Sequence, residues 1–323
     1  MSGYLQSVGL NARRIVWTPA SIPNLYAWYR ANTGVTLGGT PLATGTTPPV
    51  VTIAATDGAQ PTASALRIEI TTGGARGTAL FKWSVNDGTT FEATGVATAA
   101  TVVLTTANIT VSFPVGTYAT DNVYRSTVSQ WNDRTPNGWN LVQAAAGNQP
   151  VRVPSDSALN GRSILQMDGS DDVLATSSNL VLTAHTMIWA GRLIGSSSDA
   201  GLCGTGTSGY AFTHHLAGTL YYYSGPGQFC SFAQGQNDTC VIGGRWTGDT
   251  TANGQQVWKN GVLQAQRTHS GAALTASTFK VGRISTTTNS KVGEVLLYNV
   301  ALSDADVLAV QRWLGREYGI TVA

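Results

Sequence analysis

Hydrolysis of a glycosidic bond needs two carboxylates flanking it, one as acid and one as base or nucleophile. The chain holds only four glutamates, Glu69, Glu92, Glu294 and Glu317. Glu294, in the run GEVLLYNV, is the one candidate, and it has no carboxylate partner nearby in sequence. No G-x-S-x-G nucleophile turn occurs. His214 and His215 are adjacent, and neighbours on a strand point to opposite faces, so one metal ion cannot easily take both. A polar loop or a single hydrogen-bonded histidine explains them better, and His185 and His269 stand alone. Asp168, Asp171 and Asp172 offer hard oxygens of the kind calcium takes, yet turn-forming aspartates account for that stretch without an ion. Cys203, Cys230 and Cys240 are odd in number and lack a CxxC spacing, against a disulfide framework or a zinc site. They read as buried free thiols, with a bridge from Cys240 to Cys203 or Cys230 left open. The expectation is a protein that is not an enzyme and holds neither metal nor cofactor.

Aromatic residues offer a different chemistry. The stretch VSQWNDRTPNGWN, 128–140, sets two tryptophans beside Asp, Arg and Asn around a Pro-Asn-Gly turn. Such a set suits either a sugar-binding surface or a strand corner. In the jelly-roll family pattern that this stretch resembles, Trp131 ends a strand directly before the turn, which implies core packing for it, with Asp133 and Asn137 making the turn. Trp139 follows the turn and can face either way. The run GYAFTHHLAGTLYYYSGPGQF, 209–229, is the best candidate surface. In it Tyr222 must face opposite to Tyr221 and Tyr223. Exposed rings stack on the C–H faces of sugars or pack on a partner protein. The candidate glycan or partner residues are therefore Trp139, Tyr210, Tyr221, Tyr222 and Tyr223.

The elements that must position these residues are strands. Of 323 residues, 42% are hydrophobic and only 11% charged, and 37 are glycine, against about 25% charged in an ordinary soluble domain. Neutral polar side chains must cover the surface, and many turns must divide short strands. The net charge is +2 with no basic cluster beyond Arg13-Arg14, which argues against nucleic acid. No apolar run approaches a membrane span. The opening residues lack the blocks of a signal peptide, so synthesis in a cytoplasm without export by that route is expected.

Residues 1–24 read as an arm, interrupted by Pro19 and Pro23. NLYAWYRANTGVTL, 24–37, alternates as a strand. From Gly38 to Arg125 the chain turns Gly-, Pro- and Thr-rich, with strand runs such as ALRIEITT and TALFKWSV and a hairpin signal at Asn86-Asp87-Gly88. A block of about 90 residues is domain-sized. From Ser126 to Leu302 short strands recur, among them RSILQMD, HTMIWAGRLI, TCVIGGRW and GEVLLYNV. Only the last segment reads as a helix. Ser303 caps it, Asp304 and Asp306 sit in its first turn, Val307, Val310 and Leu314 space its apolar face, and Gly319 ends it.

KVGEVLLYNVALSDADVLAVQRWLGREYGI, 291–320, resembles the C-terminal strand and capped helix of concanavalin A-like, LamG-like jelly-roll domains. GRSILQMDGSDDVLAT resembles an early core strand of that family, and NLYAWYRANTGVT and VSQWNDRTPNG resemble its first strands. The resemblance implies an all-β jelly-roll sandwich over 25–37 and 126–323, split by a small inserted β domain at 38–125. Family glucanases carry their acids on one strand as E-x-D-x-x-E, and no such pattern occurs here. The insertion resembles a small β module of tailed-bacteriophage structural proteins. Within it Ser84, Asn86, Gly88, Thr90 and Phe91 follow the S-x-D-x-G-x-T-W/F spacing of an Asp-box, a hairpin turn, with Asn86 in place of Asp and Phe91 in place of Trp.

These resemblances imply a structural virion protein, a capsid decoration or head-fibre-type component with weak glycan adhesion. A tail-fibre or baseplate adhesin is the near alternative, and a secreted carbohydrate-active enzyme or its binding module the rival from another class. The expected partners are other virion proteins, host-surface glycans and further copies of the chain, with neither nucleic acid nor membrane.

Overall fold

The computed structural model describes residues 17–56, 65–194, 200–206, 209–215, 218–270, 274, 276–284 and 289–323, without the side chains of residues 200, 214 and 215. Most of the expected arm, residues 1–16, therefore lies outside the described residues. Of its remainder, Pro19–Ser21 forms a 3-10 turn, and the Tyr298 hydroxyl donates to the Pro19 carbonyl at 3.2 Å.

Among the described residues the chain forms an all-β sandwich with a single α-helix at its C-terminal end, Asp304–Tyr318. A nine-stranded sheet faces an eight-stranded sheet, and the helix covers the far side of the latter. The central strands of the eight-stranded sheet are thus buried on both faces. Along His185–Leu193, Met187 and Trp189 enter the core between the sheets, while Ile188 and Ala190 enter the core under the helix. That double burial explains why HTMIWAGRL is almost continuously apolar instead of alternating. Each large apolar side chain so buried contributes roughly 1.5–3 kcal/mol.

The last strand, Ser290–Tyr298, changes faces midway. Ala190 pairs with Glu294 but Gly191 pairs with Val292, leaving Gly293 as an extra residue in a bulge. Before the bulge Val292 points into the inter-sheet core; beyond it Glu294, Leu296 and Tyr298 point towards the helix. A side chain at 293 would run into the Tyr318 ring, so glycine both makes the bulge and admits the helix.

The helix begins and ends where its sequence says. The Ser303 Oγ accepts from the Asp306 N–H at 3.1 Å, and Gly319 takes the left-handed conformation at φ 66°. Val307, Val310 and Leu314 make its buried face.

Leu37 leaves the nine-stranded sheet and Val128 re-enters it directly opposite, as an antiparallel pair. Between them, residues of 42–125 form sheets of five, three and two strands. These enclose a separate cluster that includes Ile68, Ile70, Phe81, Trp83, Val111, Phe113 and Tyr124. The Asp-box spacing builds a turn. Ser84 Oγ donates to Asn86 Oδ1 at 2.7 Å and accepts from the Asn86 and Gly88 N–H groups, while Asn86 Oδ1 accepts from the Thr90 N–H at 2.9 Å. Asp87 in that turn pairs with Arg125, on the strand that leads back to the sandwich.

Candidate binding surface

The 128–140 stretch is a strand corner built on one carboxylate. Asp133 Oδ1 accepts from the backbone N–H of Trp28 and of Thr135, both at 2.9 Å. Its Oδ2 accepts from the Thr135 hydroxyl at 2.7 Å and the Trp139 N–H at 3.1 Å. The Asn137 side chain donates to the Tyr26 carbonyl at 2.8 Å. These bonds clamp the corner to the strand Leu25–Arg30. Trp131 is fully buried, with its ring 5.6 Å from that of Tyr29. Trp139 is half-buried, its ring lies 5.6 Å from Tyr26, and its carbonyl accepts from the Tyr29 hydroxyl at 2.5 Å. Its ring partner is Tyr26, so it does not join the tyrosine strand.

Two of the candidate residues belong to the core instead of a surface. Tyr222 is fully buried, and its hydroxyl lies 2.7 Å from His185 Nε2. Tyr210 is buried as well, 4.5 Å from the His185 ring and stacked on Phe279. The alternation along Thr219–Gly225 decides this. Leu220 and Tyr222 face the inter-sheet core, where burial pushes the Tyr222 phenol well above its ordinary value. Burial likewise pulls His185 down to about 3, so it is a neutral core histidine.

Tyr221 and Tyr223 consequently face outward from the nine-stranded sheet, half-buried and stacked with centroids 6.0 Å apart. A third ring completes the group. Phe229 lies directly opposite Tyr223 on the next strand, 36% exposed, at 5.1 Å from Tyr221 and 5.5 Å from Tyr223. The Arg267 guanidinium stands 6.0 Å from the Phe229 ring and donates to the Phe229 carbonyl at 3.2 Å. Phe229 was absent from the sequence candidates. The Pro226-Gly227 turn, read as a tight hairpin, is the signal that places it opposite Tyr223.

The residues weighed for catalysis are sealed or self-satisfied. Glu294 is fully buried under the helix. It accepts from Trp28 Nε1 and, at 3.1 Å, from the Tyr318 hydroxyl, and Arg30 Nε lies 3.5 Å away. Burial pushes its carboxyl up to about 7 despite those partners. Asp168, Asp171 and Asp172 bring carboxylate oxygens within 4.8 Å of one another. The turn also bonds itself, as the Asp168 N–H donates to Asp172 Oδ2 at 2.8 Å and the Ser170 N–H to Asp168 Oδ1 at 2.8 Å. All three cysteines are buried and free, and burial pushes Cys230 and Cys240 up to about 12. The side chains of His214 and His215 lie outside the described residues.

No known family model matches the chain, and no curated protein does. Among solved structures it is similar to a Trypanosoma rangeli sialidase, with 13% identity over 60% of this chain and 32% of that one and a TM-score of 0.44. It is also similar to the botulinum neurotoxin serotype D/C binding domain, at 11% identity over 56% and 50% of the two chains, TM-score 0.39. A third is the CBM40 of the Ruminococcus gnavus IT-sialidase bound to α2,3 sialyllactose, at 13% identity over 41% and 83%, TM-score 0.34. The chain thus spans a third of the sialidase and half of the neurotoxin domain.

Proposed function

We propose that this protein is a non-enzymatic binding module whose ligand surface is the outward ring group Tyr221, Tyr223 and Phe229. One observation carries the reading: three aromatic rings share the solvent side of a sheet whose other side is core. Rings so placed stack on apolar sugar faces at little entropic cost, because the sheet already holds them. Arg267 and the neutral polar neighbours of the group supply hydrogen bonds at its edge. Binding of this kind is weak at one site and gains strength by display in many copies. A LamG-like component on the surface of a tailed-phage particle would provide such display; this part of the proposal rests on the sequence resemblance alone. A catalytic role is disfavoured by Glu294, whose carboxylate a substrate could reach only by opening the helix from the sheet.

The test is a glycan-array screen followed by titration of the strongest ligand against the wild-type chain and the Tyr221→Ala and Tyr223→Ala variants. A loss of about tenfold in each variant, with unchanged unfolding, is the expected result. Binding that survives both substitutions, or no binding to any glycan, would remove the surface from consideration. Mass spectrometry of purified particles tests the virion location separately.

A further inference from the structure

A second site lies beside the Asp133 corner. The turn Pro19–Ser21, the start of the strand Leu25–Arg30 and the corner at 134–136 enclose a cleft of about 290 Å³, at the small end of ligand pockets, which begin at about 300 Å³. Ile22, Pro23, Leu25, Trp28 and Pro136 give it apolar walls, and Arg134 is its one charged group. Trp28 forms a rigid wall. Its indole N–H is held by Glu294, its ring meets Trp313 edge-on at 6.0 Å, and its backbone N–H is held by Asp133.

Arg134 is held by its backbone and left open at its head. Its N–H donates to the Trp28 carbonyl at 2.9 Å, which folds the side chain back so that the guanidinium lies 4.1 Å from the centre of the Trp28 ring. Among the described residues that guanidinium has no hydrogen bond and no ion pair. Neighbouring carboxylates are committed elsewhere: Asp133 accepts from four donors, and Glu294 lies behind Trp28 with Arg30 and Tyr318. Although Arg134 is exposed to solvent, partial burial of its head and, after it, the charge of Arg30 pull the guanidinium below its ordinary value against the attraction of Glu294. A planar fork of donors over an indole, at the mouth of an apolar cleft, matches a carboxylate attached to an apolar body.

We infer that the Trp28–Arg134 cleft is a binding site for a monocarboxylate whose other end is a ring or a branched chain, with Arg134 holding the carboxylate and Leu25, Ile22 and Pro136 the apolar end. The carboxylate can belong to a free small acid or to the C-terminal residue of a peptide. This site is separate from the Tyr221 surface, and neither proposal depends on the other.

The experiment follows the Trp28 indole N–H in a nitrogen–proton correlation spectrum of the whole chain during titration with 3-phenylpropionate and with its uncharged amide. The acid is expected to bind with a millimolar constant and the amide about fivefold or more weakly. Arg134→Met keeps an apolar stem over the indole and is expected to abolish the preference while leaving the remaining spectrum in place. Arg134→Lys keeps the charge without the fork and is expected to retain only part of it. A second arm compares N-acetyl-phenylalanine with its carboxamide; if that acid binds more tightly than 3-phenylpropionate, the natural ligand is a chain terminus, and in the reverse case a free acid. Equal binding of acid and amide, a preference that persists in Arg134→Met, or no Trp28 shift at about 20 mM of either acid would overturn the assignment.

Discussion

The Tyr318 hydroxyl donates to Glu294 Oε2 at 3.1 Å, joining the last turn of the helix to the strand beneath it. The carboxyl is pushed up to about 7, chiefly by burial, against the pull of Arg30 and of the Trp28 and Tyr318 bonds. A carboxyl raised on folding adds stability below its unfolded value and loses it as pH rises through the folded one. Tyr318→Phe removes a donor to the charged form. It is expected to cost about 1 kcal/mol at pH 5 and about 2 kcal/mol at pH 8. Urea unfolding at both pH values measures this, and equal losses would mean that Tyr318 contributes packing alone.

Asp172 follows the same sign. Burial, and then the charge of Asp168, push it up to about 7. Its share of stability is therefore expected to decline between about pH 4 and pH 7. Asp172→Asn keeps the oxygen that accepts from Asp168 and should remove that decline, gaining about 1–2 kcal/mol at pH 8 and nothing at pH 4. Unfolding midpoints across this range, with a chelator present, provide the check. An unchanged slope refutes the assignment. Destabilisation of the variant that appears only with added calcium would reveal an ion among the three carboxylates.

Neighbouring tyrosines on one strand should behave oppositely. Tyr222→Ala opens a cavity and strands His185 without its 2.7 Å partner, so a loss of about 3–5 kcal/mol is expected. Tyr221→Ala on the outer face should cost less than about 1 kcal/mol. Thermal unfolding of the two variants side by side decides it, and similar losses would place both rings in the core.

Excision of the insertion is expected to succeed. Leu37 and Val128 pair directly, and the Gly38 N–H donates to the Thr127 carbonyl at 2.8 Å, so a short Gly/Ser linker can replace residues 38–125. The shortened chain should unfold in a single cooperative transition. Without one, the two cores depend on each other and the proposed boundary fails.

Much of the fold was legible because its local signals agree with its tertiary needs. Ser303, Asp306 and Gly319 frame the helix both in sequence and in space. The run HTMIWAGRL was legible as a strand, though not its burial on both faces. The candidate surface was half legible. Period-two alternation separates Tyr222 from its neighbours, but cannot say which side is core; the partners Phe212 and His185 settle that, and they come from other strands. Arg134 was invisible as a site residue for a similar reason. Its importance comes from Trp28, which lies far from it in sequence and is brought beneath it by Asp133. The short strands Leu141–Val142 and Ala200–Gly204 carry too few residues to show a period.

The pairing of Leu37 with Val128 also bears on the order of folding events. Ser129 Oγ reaches the Leu37 carbonyl at 3.1 Å across 92 positions of sequence, and closing so long a flexible loop is entropically unfavourable. A folded insertion removes that cost, because its own sheets already hold the two ends together. The sandwich edge should therefore assemble late in a chain whose insertion is destabilised. A substitution in the core of the insertion, such as Phe81→Ala, should slow the burial of Trp131, and stopped-flow refolding of the two chains would time it.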